Sequence, residues 1–183
     1  MATREELKQR ACEAIDKNRD KIIALGDAIF SEPELGYKEF KTAEKVKKAF
    51  DEMGYKYTDG HAITGIIAPL KGGESKVKVA IMGELDAVVA PNHRCANKET
   101  GAAHSCGHHA QIASMVGAAY AFKDTGILEE LGGDVVLMAV PAEEYVELGY
   151  RNELRKAGKI WFLGGKQEFV RLGLYDDIDI CVM

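Results

Sequence analysis

The sequence predicts an α/β protein whose sheet is covered by helices on both faces, and three observations support this fold class. Strand-like and helix-like segments alternate along the chain. Two strand-like runs, 79–82 and 135–140, contain only apolar residues, which indicates burial on both faces of a sheet. The helix-like segments repeat apolar residues near the 3.6-residue period, with charges between them.

The N-terminal part of the chain predicts two helices. The first covers residues 4–29 and ends at Ser31-Glu32-Pro33, because proline cannot continue a helix. The second covers residues 40–53 and stops at Gly54, a residue type that favours the left-handed cap.

The middle of the chain predicts a hairpin, a loop and a helix. Residues 63–70 and 76–82 are strand-like and flank the turn-like sequence Lys71-Gly72-Gly73-Glu74. Residues 83–107 are predicted to form a long loop that holds many of the acidic, histidine and cysteine residues that are candidates for a site. Loops of this length are usually functional or disordered. A helix follows over 108–123.

The C-terminal part predicts a strand at 135–140, helices at 147–157 and 166–172, and a last strand at 178–183. The chain ends within this apolar run, whereas a free terminus usually lies at the surface. We therefore expect an incomplete domain. The alternative is a short natural chain whose last strand docks in the sheet.

The composition is that of an ordinary globular protein, with 46% hydrophobic and 29% charged residues among 183. The net charge of −5 provides no basic face for nucleic acid. No apolar run approaches the roughly 20 residues that cross a bilayer, so no membrane partner is expected. The N-terminus lacks a signal-peptide core and the four cysteines lack a disulfide spacing, which favours a cytoplasmic protein with reduced thiols.

Acidic residues follow both of the buried strands. Glu84 and Asp86 come after the strand that ends at Met82, and Glu143-Glu144 come after Val140 and Pro141. Ligands of α/β sheets collect beyond the carboxyl ends of the strands, so these carboxylates are candidate site residues. Solvated loop carboxylates and a strand-end cap are the simpler explanations.

Between these two acidic segments lies a Cys-x-His element. Cys106 and His108 place a thiolate and an imidazole within reach of one cation, and Gly107 lets the backbone bend between them. Such ligands suit Zn²⁺ and similar metals. His109 is a candidate ligand or a support for a neighbouring group. A surface loop rich in histidine is the simpler explanation.

The adjacent residues Glu143 and Glu144 are candidates for two different roles. Neighbouring side chains of extended backbone point in opposite directions, so one carboxylate can bind metal while the other faces substrate and water as a general base. Asp86 is a candidate for orienting a histidine ligand, and Glu84 is a weaker candidate of the same kind.

Three other interpretations remain open. Cys95, Cys106 and His108 are able to build a structural zinc site, although their spacing matches no compact finger. Cys106 is alternatively a nucleophile activated by His108 or His109. A non-catalytic module, or a truncated relative that binds metal weakly, is the third.

At these residues the chain resembles a family of metal-dependent aminoacylases and carboxypeptidases that includes hippurate, auxin-conjugate and aminobenzoyl-glutamate hydrolases. Four stretches carry the resemblance in the family's order. They are residues 31–37 (similar to HPELGFEE), 83–87 (similar to DMDALP), 104–111 (similar to HACGHDxH) and 141–144 (identical to PAEE).

The resemblance implies a zinc-peptidase-like mixed sheet and a site with two divalent ions, commonly Zn, Mn, Co or Ni. It implies that Cys106 bridges the metals, that His108 and Glu144 are further ligands, that Glu143 is the general base and that Asp86 supports the metal shell. The implied substrates are N-acyl amino acids or small peptides, and the implied partner is a second copy of the full-length protein.

The chain departs from the family pattern at several positions. His109 stands in place of Asp, Gln111 stands in place of His, and the loop over 88–103 is longer than in the simplest members. His109, Glu84 and Gln111 therefore remain candidates for supporting or substrate-binding roles.

Family members are roughly twice as long, with an inserted dimerisation domain and two further histidine ligands. The 183 residues are thus expected to be the N-terminal portion of the catalytic domain. By themselves they are expected to be inactive.

Overall fold

The computed structural model describes residues 2–183 and confirms the α/β class, with a mixed sheet. The helices are α1 (Arg4–Lys17), α2 (Arg19–Ser31), α3 (Phe40–Met53), α4 (His108–Thr125), α5 (Leu148–Lys156) and α6 (Gly165–Arg171). The strands are β1 (Thr58–His61), β2 (Gly65–Leu70), β3 (Lys78–Glu84), β4 (Val88–Val89), β5 (Ala102–Ala103), β6 (Asp134–Val140) and β7 (Ile180–Val182).

Strand β6 is the centre of the five-stranded sheet, whose order is β1-β2-β6-β3-β7. All of its seven residues are buried, as its apolar sequence predicts. It pairs parallel with β3 and antiparallel with β2. In the parallel pair Glu84 lies opposite Val140, so the two strands reach their carboxyl ends at the same level of the sheet.

Helices cover both faces of the sheet, and alternate residues of β6 contribute to two separate cores. Val135, Leu137 and Ala139 pack with apolar residues of α2, α3 and α4. Val136, Met138 and Val140 belong to the opposite core, which includes residues of α5, α6 and the segment between them. The two cores fix β6, and therefore the position of the segment that follows it.

The predicted hairpin between residues 63–70 and 76–82 is wrong, because β6 lies between the two strands. The connection crosses the start of β6, where the Asp134 carboxylate accepts the Gly72 N–H at 3.0 Å and the Ser75 hydroxyl at 2.9 Å. These hydrogen bonds provide partners for polar groups of the connecting segment, which forms no tight turn. Strand β2 instead pairs antiparallel with β1.

The single helix predicted over residues 4–29 is also interrupted, at Asn18 between α1 and α2. The Asn18 side chain is buried, and its amide donates to the Ala14 carbonyl and to the Asp124 carboxylate, both at 2.9 Å. Such side-chain bonds to the backbone compete with regular helix, and here they also tie the bend to the end of α4.

The remaining predicted helices and strands are confirmed to within a few residues. The long segment after β3 carries the short antiparallel pair β4 and β5. Within residues 2–183, none of the helices is both long enough and apolar enough to cross a bilayer.

Candidate metal centre

The acidic residues predicted at the two strand ends lie side by side. The register of β3 and β6 places Glu84 next to Val140, and the Leu85 N–H donates to the Val140 carbonyl at 2.9 Å. Just beyond, the Glu144 N–H donates to Asp86 Oδ2 at 2.9 Å. The sheet therefore brings the segment 83–87 and the segment 141–144 to one site.

The Cys-x-His element reaches the same site from α4. His108 is the first residue of this helix and is buried, whereas Cys106 is exposed. Gly107 between them has φ 115°, in the left-handed region where residues with a side chain are strained. The glycine thus permits the turn that places the thiol and the imidazole on the acidic strand ends.

Two groups of residues that could hold a metal ion meet here, and both use His108. Cys106, His108 and Glu144 each offer one ligand atom, and these atoms all lie within 4.8 Å of one another. Glu84, His108 and Glu143 meet the same criterion. The structure therefore brings together the three predicted ligands and the predicted base, while their roles remain predictions. Cys95 belongs to neither group, which leaves the structural zinc interpretation without support.

Asp86 orients the His108 ring. His108 Nδ1 lies 2.8 Å from the Asp86 backbone carbonyl and 3.3 Å from Asp86 Oδ1. Its Nε2 consequently faces the other carboxylates, at 2.8 Å from Glu84 and 3.8 Å from both Glu143 and Glu144. A histidine held at one nitrogen in this way is oriented to ligate a metal through the other nitrogen.

The acidic surroundings perturb the titration of these groups. Burial acts to lower the pKa of His108, but its hydrogen bonds with Asp86 and Glu84 outweigh this and raise the pKa to about 11. Burial acts to raise the pKa of Glu84, but His108 and Lys166 lower it to about 2. Burial and then the Glu84 charge raise the pKa of Glu143, in the direction that suits a general base.

Arg151 is a component that the sequence analysis missed. It is fully buried in α5 and donates to the backbone carbonyls of Leu163 at 2.7 Å, Ala142 at 3.3 Å and also Glu144. Its guanidinium lies 4.0 Å from Asp86 Oδ2. Arg151 therefore fixes the backbone that carries the paired glutamates, and its charge faces the buried Asp86.

Glu39 is a second residue that the sequence analysis missed. It is fully buried next to α3 and accepts the Ala142 N–H at 2.8 Å and the Thr64 hydroxyl at 2.7 Å. Burial, reinforced by the Asp86 charge, raises the pKa of Glu39 to about 7. Glu39 thus anchors the segment after β6 at the Ala142 N–H, while Arg151 binds the carbonyl of the same residue.

Lys166 is the third missed residue. Its Nζ lies 2.5 Å from Glu84 Oε1 and 3.8 Å from Glu143 Oε1. The two glycines that precede it are the sequence feature that marks this turn, but they give no indication that a lysine enters the site.

The structure separates the remaining predicted residues into two environments. Gln111 Oε1 accepts the Glu84 N–H at 3.2 Å, so Gln111 supports the end of β3. The ring centroid of His109 instead lies 4.9 Å from that of Phe30 and 5.4 Å from that of His104. His109 belongs to neither group of residues that could hold a metal ion. Burial lowers the pKa of His104 to about 4.

The donor set fits a divalent transition metal. Thiolate, imidazole and carboxylate are the ligands of zinc and similar ions, and here one of each converges. The imidazole also has the oxygen partner on its second nitrogen that metal-binding histidines require. Cys106, His108 and Glu144 are therefore one group of residues that could hold such an ion.

Comparisons with known proteins identify the family to which the chain is similar. The sequence profile of peptidase family M20/M25/M40 matches residues 80–175. An IAA-amino acid hydrolase of Arabidopsis thaliana is 36% identical over 130 residues, which are 68% of this chain and 29% of the relative. The N-acyl-L-amino acid amidohydrolase of Geobacillus stearothermophilus is 26% identical over 183 residues, which are 98% of this chain and 44% of the relative.

The fold is also that of a solved structure. The YxeP protein of Bacillus subtilis, described as a dinuclear metal binding peptidase, superimposes with a TM-score of 0.71 at 25% identity. The match covers 91% of this chain and 42% of that protein. The chain therefore spans less than half the length of these relatives.

Proposed function

This chain belongs to the peptidase family M20/M25/M40, and we propose that the protein containing it is a metal-dependent hydrolase of amide bonds in N-acyl amino acids or small peptides. The observation that carries the proposal is the convergence of Cys106, His108 and Glu144, with ligand atoms within 4.8 Å of one another. The names of the Arabidopsis and Geobacillus relatives support the substrate class.

The proposed centre holds two divalent ions, as described for the YxeP protein. Cys106, His108 and Glu144 would hold them. The donor chemistry is compatible with Zn, Mn, Co or Ni. When bound, such ions supply Lewis-acid polarisation of the amide carbonyl and stabilise the negative charge that develops there.

The residues of this chain divide the remaining work. Asp86 keeps the His108 ring in one orientation and, through the Glu144 N–H, fixes the segment that carries the paired glutamates. Glu143 takes a proton from the attacking water as general base. It then passes that proton to the leaving nitrogen, as its half-exposed position beside Glu144 permits.

We propose that residues 1–183 are the N-terminal portion of the catalytic domain, because the four motif stretches occur in the family's order and the relatives are more than twice as long. The rest of the protein would then supply the other histidine ligands, the lid domain and a homodimer contact. The chain by itself is expected to have no amidase activity. A cytoplasmic location is part of the same proposal and is supported by the four unpaired cysteines.

The test is Glu143→Ala in the full-length protein, assayed on N-acyl amino acids, with metal content measured in parallel. Turnover is expected to fall by about two orders of magnitude or more while metal content persists, because the base is lost and the ligands remain. Glu153→Ala is the matched control, since the Glu153 side chain is 70% exposed on α5. Undiminished turnover in Glu143→Ala would contradict the mechanism.

A chelator separates this mechanism from one with a cysteine nucleophile. A reactive thiol needs a lowered pKa, whereas the nearby Glu144 carboxylate, and then burial, raise the pKa of Cys106. The metal mechanism predicts that activity is lost on chelation and restored by added metal. Activity that survives chelation but is abolished by an alkylating agent would favour the thiol mechanism.

A further inference from the structure

His108 is shared by two competing sets of ligands. Its Nε2 lies closer to Glu84, at 2.8 Å, than to Glu144, at 3.8 Å. A cation that entered between Glu84, His108 and Glu143 would occupy the predicted base and bypass the thiol of Cys106. The site therefore needs a feature that makes Glu84 and Glu143 the poorer ligands.

Lys166 has the position that this feature requires. Among residues 2–183, its ion-pair partners are Glu84 and Glu143, the two carboxylates of the competing set. Glu84 is 3% exposed and its partner Lys166 is 38% exposed, so a buried carboxylate is paired with a partly exposed ammonium. An ammonium 2.5 Å from Glu84 Oε1 neutralises the charge that would attract a cation.

The backbone fixes Lys166 in place. The Gly165 N–H donates to the Ala142 carbonyl at 3.2 Å, and a Cβ at Gly165 would lie 1.8 Å from the Pro141 carbonyl oxygen. The start of α6 thus packs directly on the segment that leads to the paired glutamates. Lys166 is the next residue, so its side chain starts from a fixed point beside the site.

From this geometry we propose that Lys166 is a positioning residue that pairs with Glu84 and faces Glu143. It thereby keeps the metal ions of the proposed centre on Cys106, His108 and Glu144 and leaves Glu143 free as the base. The proposal rests on the proposed function for the role of Glu143. The metal distribution that it predicts can be measured without any substrate.

Cobalt substitution in the full-length protein tests the metal distribution, because a cobalt–thiolate bond gives a charge-transfer absorption that carboxylate and imidazole ligands do not. In the wild type this band is expected. In Lys166→Met its intensity per bound cobalt should fall, since Glu84 then competes for the ion. Lys166→Arg keeps the positive charge and should retain most of the band.

Two further variants separate the proposed role of Lys166 from a general loss of folding in Lys166→Met. The double variant Lys166→Met/Glu84→Gln removes both charges and should recover the band, because the competing carboxylate is gone. Lys159→Met is the matched control, since this exposed lysine belongs to the same segment and lies outside the site. An unchanged band per cobalt in Lys166→Met, or no recovery in the double variant, would overturn the proposal.

Kinetics give the second measurement. Lys166→Met is expected to lower kcat on the order of tenfold or more with a smaller change in KM, because the base is displaced while substrate contacts persist. A wild type that shows the thiolate band but hydrolyses no amide would refute the proposed function and leave the role of Lys166 standing. An active wild type with an unaffected Lys166→Met would refute the role of Lys166 alone.

Discussion

Replacing Glu39 by glutamine should make the free energy of unfolding less sensitive to rising pH. Glu39 is fully buried, and its pKa is raised from 4.5 to about 7 by burial and by the Asp86 charge. A carboxyl group whose pKa is higher in the folded than in the unfolded state makes its full contribution to the stability of the folded protein below pH 4.5. This contribution is lost progressively up to about pH 7, where the ionised form must be kept buried.

The magnitude follows from the size of this shift. One pKa unit corresponds to 1.36 kcal/mol, so the difference between 4.5 and about 7 amounts to about 3 kcal/mol of lost stability. Glutamine carries no charge and preserves the two contacts of Glu39. Its oxygen can accept the Ala142 N–H and its amide can donate to the Thr64 hydroxyl.

Urea unfolding of the wild type and Glu39→Gln at about pH 4.5 and about pH 8 measures the effect. The stability of the variant relative to the wild type should improve by about 3 kcal/mol between the two conditions. Glu153→Gln, an exposed substitution of the same type, should show no such change. A constant difference between Glu39→Gln and the wild type at both pH values would refute the reasoning.

Three further predictions concern packing and the metal site. Leu137→Ala should lower the free energy of unfolding by about 2–5 kcal/mol in urea, because Leu137 is fully buried in the centre of β6; an effect below about 1 kcal/mol would contradict this. Gly165→Ala should lower the thermal unfolding temperature and the kcat together, since the new methyl group would meet the Pro141 carbonyl oxygen; unchanged values would show that the close approach is unimportant. Asp86→Ala should weaken metal affinity by about 10- to 100-fold in competition with a chelator, because His108 loses its carboxylate partner. Wild-type affinity would remove Asp86 from the metal shell.

The parts of the fold that the sequence predicted are those with a strong local pattern. The apolar runs of β3 and β6 indicated strands, of which β6 is buried throughout while the run 79–82 of β3 is mostly half-buried, and the acidic residues after them indicated the site. The family resemblance is confirmed by the family profile, whose match over residues 80–175 contains three of the four stretches. These features depend on neighbouring residues, which a single sequence displays directly.

The features that the sequence did not predict depend on long-range contacts. The hairpin prediction is wrong because β2 and β3 each pair with the fully buried β6 and not with each other. Strand β6 comes much later in the chain, since its first residue, Asp134, binds Lys71 across a separation of 63 residues. Arg151, Glu39 and Lys166 are ordinary charged residues in polar stretches, and only the folded chain shows that they converge on the paired glutamates.

The parallel pairing of β3 with β6 requires a crossover connection, which here includes α4. Glu84, His108 and Glu144 therefore come together only when this long-range contact has formed. A cation held by these residues would stabilise the native fold by mass action, with a contribution that grows with the logarithm of its free concentration, and its removal would shift the folding equilibrium toward the unfolded state.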